Sequence, residues 1–123
     1  MAHGGRIAIG FGPLWKSPYG GHIGYMTRLP WAHLLFPERV VLRERERFFP
    51  DQRVRTFGEI VGGLNKMTLS RFQAIIAANE LEEVYFRVNA SKHRLGPAFS
   101  LLAKLPFARE YFSFNLYGLW QPR

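Results

Sequence analysis

The sequence predicts an α/β domain that forms the closing part of a sheet, and three observations carry this. Residues 5–11 are a short run of apolar and small residues bounded by glycines, with no charge between Ile7 and Phe11. Behind Thr68, the residues Leu69, Phe72, Ile75 and Ile76 recur at i, i+3, i+6 and i+7, an apolar helical stripe. Residues 112–117 alternate large apolar with smaller side chains, the pattern of a terminal strand with one aromatic face. A buried strand first, helices next and an alternating strand last is the element order expected at the closing side of an α/β sheet.

The elements follow in order. Residues 7–11 do not alternate with charges, so they read as a strand covered on both faces, as in a parallel sheet. Residues 12–24 hold two prolines and four further glycines beyond the strand's own, and read as a long irregular loop. From 25 to 36, Met26, Leu29, Ala32, Leu35 and Phe36 recur at helical spacing, interrupted by Pro30. Pro37 suits the first turn of a second helix, in which Val41, Leu42, Phe48 and Phe49 share a face opposite the Arg/Glu residues. Residues 56–61 read as a short helix stopped by Gly62-Gly63, and Thr68 as the N-cap of the striped helix. Residues 84–88 have strand composition, residues 97–104 read as a helix, and Pro106 starts another turn.

Composition bounds the function. The 123 residues suit one domain, and 47% hydrophobic content with 11 Phe, 5 Tyr and 3 Trp excludes a disordered chain. With no Cys there is no disulfide, thiolate metal site or cysteine nucleophile, which fits a cytoplasmic address. No apolar run approaches the roughly 20 residues of a membrane span. Seventeen Lys/Arg against nine Asp/Glu give a net charge of +8. Such a balance favours contact with nucleic acid or anionic lipid, but alternating signs over Arg43-Glu44-Arg45-Glu46-Arg47 read as a solvated surface.

Motifs exclude more than they assign. The four histidines have no metal-ligand spacing, so no metal is expected. There is no G-x-S-x-G elbow, and no glycine loop has the spacing of a phosphate cradle. One loop stands out. Ligands of open α/β sheets sit outside the carboxyl ends of the strands, and Trp15, Ser17, Tyr19 and His22 leave that end of the first strand. They either face a ligand or pack under the next helix; position leaves both open. Asn65, after Gly62-Gly63-Leu64, is a second candidate and equally a turn residue.

Three blocks carry a resemblance: Gly12-Pro13-Leu14-Trp15-Lys16-Ser17-Pro18-Tyr19-Gly20-Gly21-His22, Leu29-Pro30-Trp31-Ala32-His33-Leu34-Leu35-Phe36, and Gly62-Gly63-Leu64-Asn65-Lys66-Met67-Thr68. In this order they resemble the class I S-adenosylmethionine-dependent methyltransferases of the type 11 group, over nearly the whole chain. The resemblance implies that residues 4–11 match the fifth strand of a Rossmann-like methyltransferase sheet, with His3 where that family usually has proline. It implies an active-site loop up to residue 24, a helical cap insertion over 25–67 on the substrate side, and the last helix and terminal strands over 68–123. Of the terminal strands, the last inserts antiparallel. The family's cofactor motifs, a glycine-rich loop after strand one and an acidic residue ending strand two, would lie before Met1. The chain is therefore expected to be the C-terminal half of such an enzyme, inactive alone, with no cofactor-binding residue assignable within it.

The resemblance implies a role in positioning the methyl acceptor. For a hydroxyl acceptor, His22 or Tyr19 would serve as base, with Trp15, Ser17 and Asn65 binding and orienting it. The first strand would present an open edge, through which the chain is expected to dimerise or aggregate. The alternatives are a small basic nucleic-acid-binding module, marked by steep salt dependence, or a protein-interaction domain.

Overall fold

In the computed structural model, residues 4–60, 64–90 and 95–123 are described. Strand β1 (Ile7–Phe11) is followed by helices α1 (Ala32–Leu35) and α2 (Glu38–Arg45) and a 3-10 turn at Phe57–Glu59. Helix α3 (Leu69–Ala78), strand β2 (Leu81–Asn89), helices α4 (Gly96–Leu102) and α5 (Arg109–Phe112) and strand β3 (Asn115–Pro122) complete the chain. The result is α/β: a three-stranded open sheet in the order β1-β3-β2, with β3 antiparallel to both neighbours.

The chain's two ends pair. Ile7 faces Trp120 and Phe11 faces Leu116, so the last strand fills the centre of the sheet. On β3, Leu116 and Trp120 turn into the core and are 0% and 1% exposed. Gly118 lies between them on the same face, and the Trp120 ring occupies the space a side chain there would need. Helix α3 covers this face: Leu69 and Phe72 are buried with Leu14, Leu116 and Trp120, and Ile9, Phe11, Phe86 and Val88 pack around them. Phe72 meets Trp120 edge-on, with centroids 5.4 Å apart. Thr68 caps α3 through its hydroxyl, which accepts the Arg71 N–H at 3.2 Å.

Several expectations change. β1 is not covered on both faces: Ile7, Ile9 and Phe11 turn inward while Ala8 and Gly10 are exposed, because its partner is antiparallel and, among the described residues, no helix lies over the outer face. Its far edge pairs with nothing among the described residues. The helical spacing over 25–36 yields only α1, since Pro30 and the left-handed Trp31 interrupt it. α2 stops at Arg45, so Phe48 and Phe49 leave the stripe and stay 51% and 37% exposed. The last strand begins at Asn115 rather than 112, because residues 109–112 coil into α5. The expected stop at Gly62-Gly63 lies outside the described residues.

A second core is formed by Ile23, Ala32, Val41, Leu42 and Phe57, buried against Trp15, Met26 and Leu64. The two cores are tied along the loop after β1. Leu14 N–H donates to Phe114 O, and Trp15 N–H to Met67 O, both at 2.8 Å. Glu110 clamps the far side, accepting from Lys16 Nζ and from the Ser70 N–H at the start of α3, each at 2.7 Å. No helix among the described residues is long and apolar enough to cross a membrane.

Candidate functional site

A pocket of about 540 Å³ opens at the carboxyl end of β1, between the two cores. Phe11, Gly12 and Pro13 form its floor where the strand ends. Trp15, His22, Tyr25 and Ile23 come from the following loop, Arg45 and Phe49 from the end of α2 and beyond, and Leu64, Asn65, Lys66 and Met67 from the approach to α3. The volume suits a small organic molecule.

The structure brings Trp15, His22 and Asn65 together on this wall and leaves Ser17 and Tyr19 off it. Ser17 is fully buried in a turn whose N–H bonds Leu14 O, and its hydroxyl has no hydrogen-bond partner among the described residues. Tyr19 directs its hydroxyl toward the Arg28 carbonyl at 3.4 Å. Asn65 spends its side-chain oxygen on the Met67 N–H at 3.0 Å, so it shapes the turn and still lines the pocket.

Packing sets the loop's shape. Gly20 sits where a Cβ would come 2.2 Å from the Leu14 and Trp15 carbonyls, and at Gly21 a Cβ would meet the His33 side chain at 2.4 Å. The Trp15 ring stands edge-on to His33 and Phe57, with centroids 4.7 and 5.2 Å away. His33 is buried, and its Nε2 reaches the Trp15 carbonyl at 2.5 Å. Burial lowers its pKa, the Trp15 carbonyl opposes this, and nearby His22 lowers it further. His22 is exposed overall, but partial burial of its ring lowers its pKa too. It is therefore a neutral imidazole near pH 7, able to accept a proton.

Arg45 was not legible as a site residue, because it stands in the alternating Arg/Glu run. It is 5% exposed, the one buried charge among the described residues. Its guanidinium donates to Gln52 O at 3.0 Å and Gln52 Oε1 at 2.7 Å, and lies 4.6 Å from the Phe49 ring centroid. A signal existed: Arg45 is four residues after Val41 and three after Leu42, which places it on the apolar stripe rather than opposite it. The Tyr25 hydroxyl, whose pKa burial raises, faces the same guanidinium, which pulls it partly back. Lys66 differs. Its ammonium is 3.7 Å from Glu38 and 5.4 Å from the Trp15 ring centroid.

The wall does not fit S-adenosylmethionine. None of its lining residues is a carboxylate that could accept from a ribose diol, and a buried guanidinium repels a sulfonium. Among the described residues no group of three or more His, Asp or Glu could hold a metal ion. Comparison with known proteins adds no family: no family model matches the chain, and neither a curated protein nor a solved structure matches it significantly.

Proposed function

We propose that this chain is the acceptor-side part of an S-adenosylmethionine-dependent methyltransferase, holding the molecule to be methylated in the pocket beyond β1. The observation that carries this is the sheet: the last strand lies antiparallel between the two earlier ones, the arrangement that the resemblance of the loop motifs implies for the closing strands of a Rossmann-like sheet. The pocket at the carboxyl end of β1 adds support, since three motif residues, Trp15, His22 and Asn65, meet there.

S-adenosylmethionine supplies the methyl group; the residues of this chain act on the acceptor. Trp15, packed on His33 and Phe57, is a rigid wall that excludes water from one side of the acceptor. His22 holds a free imidazole at the pocket mouth and takes the proton of a hydroxyl acceptor. Ser17 and Tyr19, being off the wall, support the loop rather than touch the acceptor.

The test is the native product from its source cells, captured through a C-terminal epitope and incubated with methyl-labelled S-adenosylmethionine and a metabolite extract. Label transferred to a small molecule above a mock capture is the expected result; no transfer overturns the proposal. Turnover that survives His22→Gln removes the base role alone.

A further inference from the structure

Arg45 presents an electrostatic imbalance that the fold itself does not resolve. All nine Asp and Glu residues lie in the described segments, and none pairs with Arg45; the ion pairs run Lys16–Glu110, Arg47–Glu44, Arg53–Glu46 and Lys66–Glu38. Its partners are all neutral: Gln52 takes two of the five N–H donors of the guanidinium, the Tyr25 hydroxyl faces it, and the Phe49 ring lies 4.6 Å away. Taking an unpaired charge out of water is expensive, and buried arginines ordinarily meet a carboxylate. Here the unpaired guanidinium lines a pocket whose remaining walls are largely aromatic and aliphatic: Phe11, Trp15, Tyr25, Phe49, Leu64 and Met67.

We propose that this pocket binds an apolar monocarboxylic acid, its carboxylate on the Arg45 guanidinium and its hydrocarbon or aromatic body against Trp15 and Phe49. Three features select this class. The guanidinium fork matches a planar carboxylate with two parallel hydrogen bonds. One uncompensated positive charge matches one negative charge, because Lys66 is already answered by Glu38 and by two aromatic rings, which disfavours a phosphate dianion. A pocket of about 540 Å³ whose buried charge is Arg45, and whose walls set Trp15 and Phe49 beside the polar His22 and Asn65, can orient a small organic acid. This assignment goes beyond the acceptor-side proposal: it names a ligand class for the pocket from Arg45 and does not use the hydroxyl on which His22 would act. It is testable without any methyl donor, so its failure and that of methyl transfer are separate results.

The experiment measures binding to the 123-residue chain at pH 7.5, by calorimetry and by tryptophan fluorescence. The probes are benzoate, its neutral isostere benzamide, and inorganic phosphate. Benzoate is expected to bind saturably and raise the melting temperature, with benzamide at least tenfold weaker. Arg45→Met, close in length but uncharged, is expected to abolish the preference for benzoate, and Arg45→Lys to retain part of it. Should Arg45→Met not fold, the benzoate–benzamide comparison in the unaltered chain together with Arg45→Lys still decides. Equal binding of benzoate and benzamide, no binding of either, or benzoate affinity unchanged in a folded Arg45→Met overturns the proposal. Phosphate binding more tightly than benzoate overturns the carboxylate assignment.

Discussion

Replacing Gly118 by alanine tests how the centre of the sheet is packed. A Cβ at 118 would stand 2.1 Å from Trp120 Cη2, and 2.6 and 2.7 Å from the adjoining ring carbons. Carbon atoms pack at about 3.5–4.0 Å, so the indole must retreat by roughly 1.5 Å. It has nowhere to go: Trp120 is 1% exposed, wedged against Phe72 at 5.4 Å and Phe86 at 5.9 Å between ring centroids. Overpacking of this kind costs about 1–3 kcal/mol. Alanine recovers part of that, about 0.4–1 kcal/mol, by restricting the unfolded chain. The net loss is about 1–2 kcal/mol, or a melting temperature lower by about 4–8 °C for a chain of this size. Urea unfolding followed by tryptophan fluorescence reads it. The same substitution in a Trp120→Leu background, where the offending ring is gone, should cost less than about 0.5 kcal/mol. Equal losses in the two backgrounds, or none in either, would refute the packing account.

Ser17→Ala removes a fully buried hydroxyl that has no partner among the described residues, and should raise stability by about 1 kcal/mol in urea titration; a loss would show that the hydroxyl is bonded. Because burial depresses the pKa of His33 below its ordinary 6.5, the unfolded chain protonates first as pH falls. The contribution of His33 is therefore present above about pH 6.5 and declines below it, and His33→Gln should flatten that decline in urea midpoints taken between pH 8 and 5.5, a flat profile in the unaltered chain being the contrary result. β1 carries no charge from Ile7 to Phe11, whereas the opposite edge strand bears Glu82, Glu83 and Arg87 and an irregularity at Val84. The isolated chain should therefore self-associate through β1, and Ala8→Lys, at an exposed position, should reduce this in sedimentation velocity; a monomeric unaltered chain at high concentration would rule it out.

What the sequence by itself determined is local. Thr68 and the stripe from Leu69 to Ile76 locate α3 with its cap, because capping and helical periodicity involve residues within two turns of one another. The strand character of residues 7–11 and 84–88 was legible for the same reason, and so was the loop that carries Trp15 and His22 at the end of β1. Tertiary structure decided the rest. β1 looked like a strand buried on both faces because its residues lack charge, but facing requires a partner, and that partner is the opposite end of the chain. On β3, Trp120 folds over Gly118, a fit between side chains that alternation alone does not specify. Ser17 and Tyr19 share the loop of Trp15 and His22, yet the turn held by Leu14 and the packing of Gly20 and Gly21 rotate them off the pocket wall. Arg45 is the sharpest case. In sequence it is one charge among five alternating ones; in the fold, α2 ends on it, and the apolar stripe that buries Val41 and Leu42 carries its guanidinium into the pocket, away from every carboxylate in the chain.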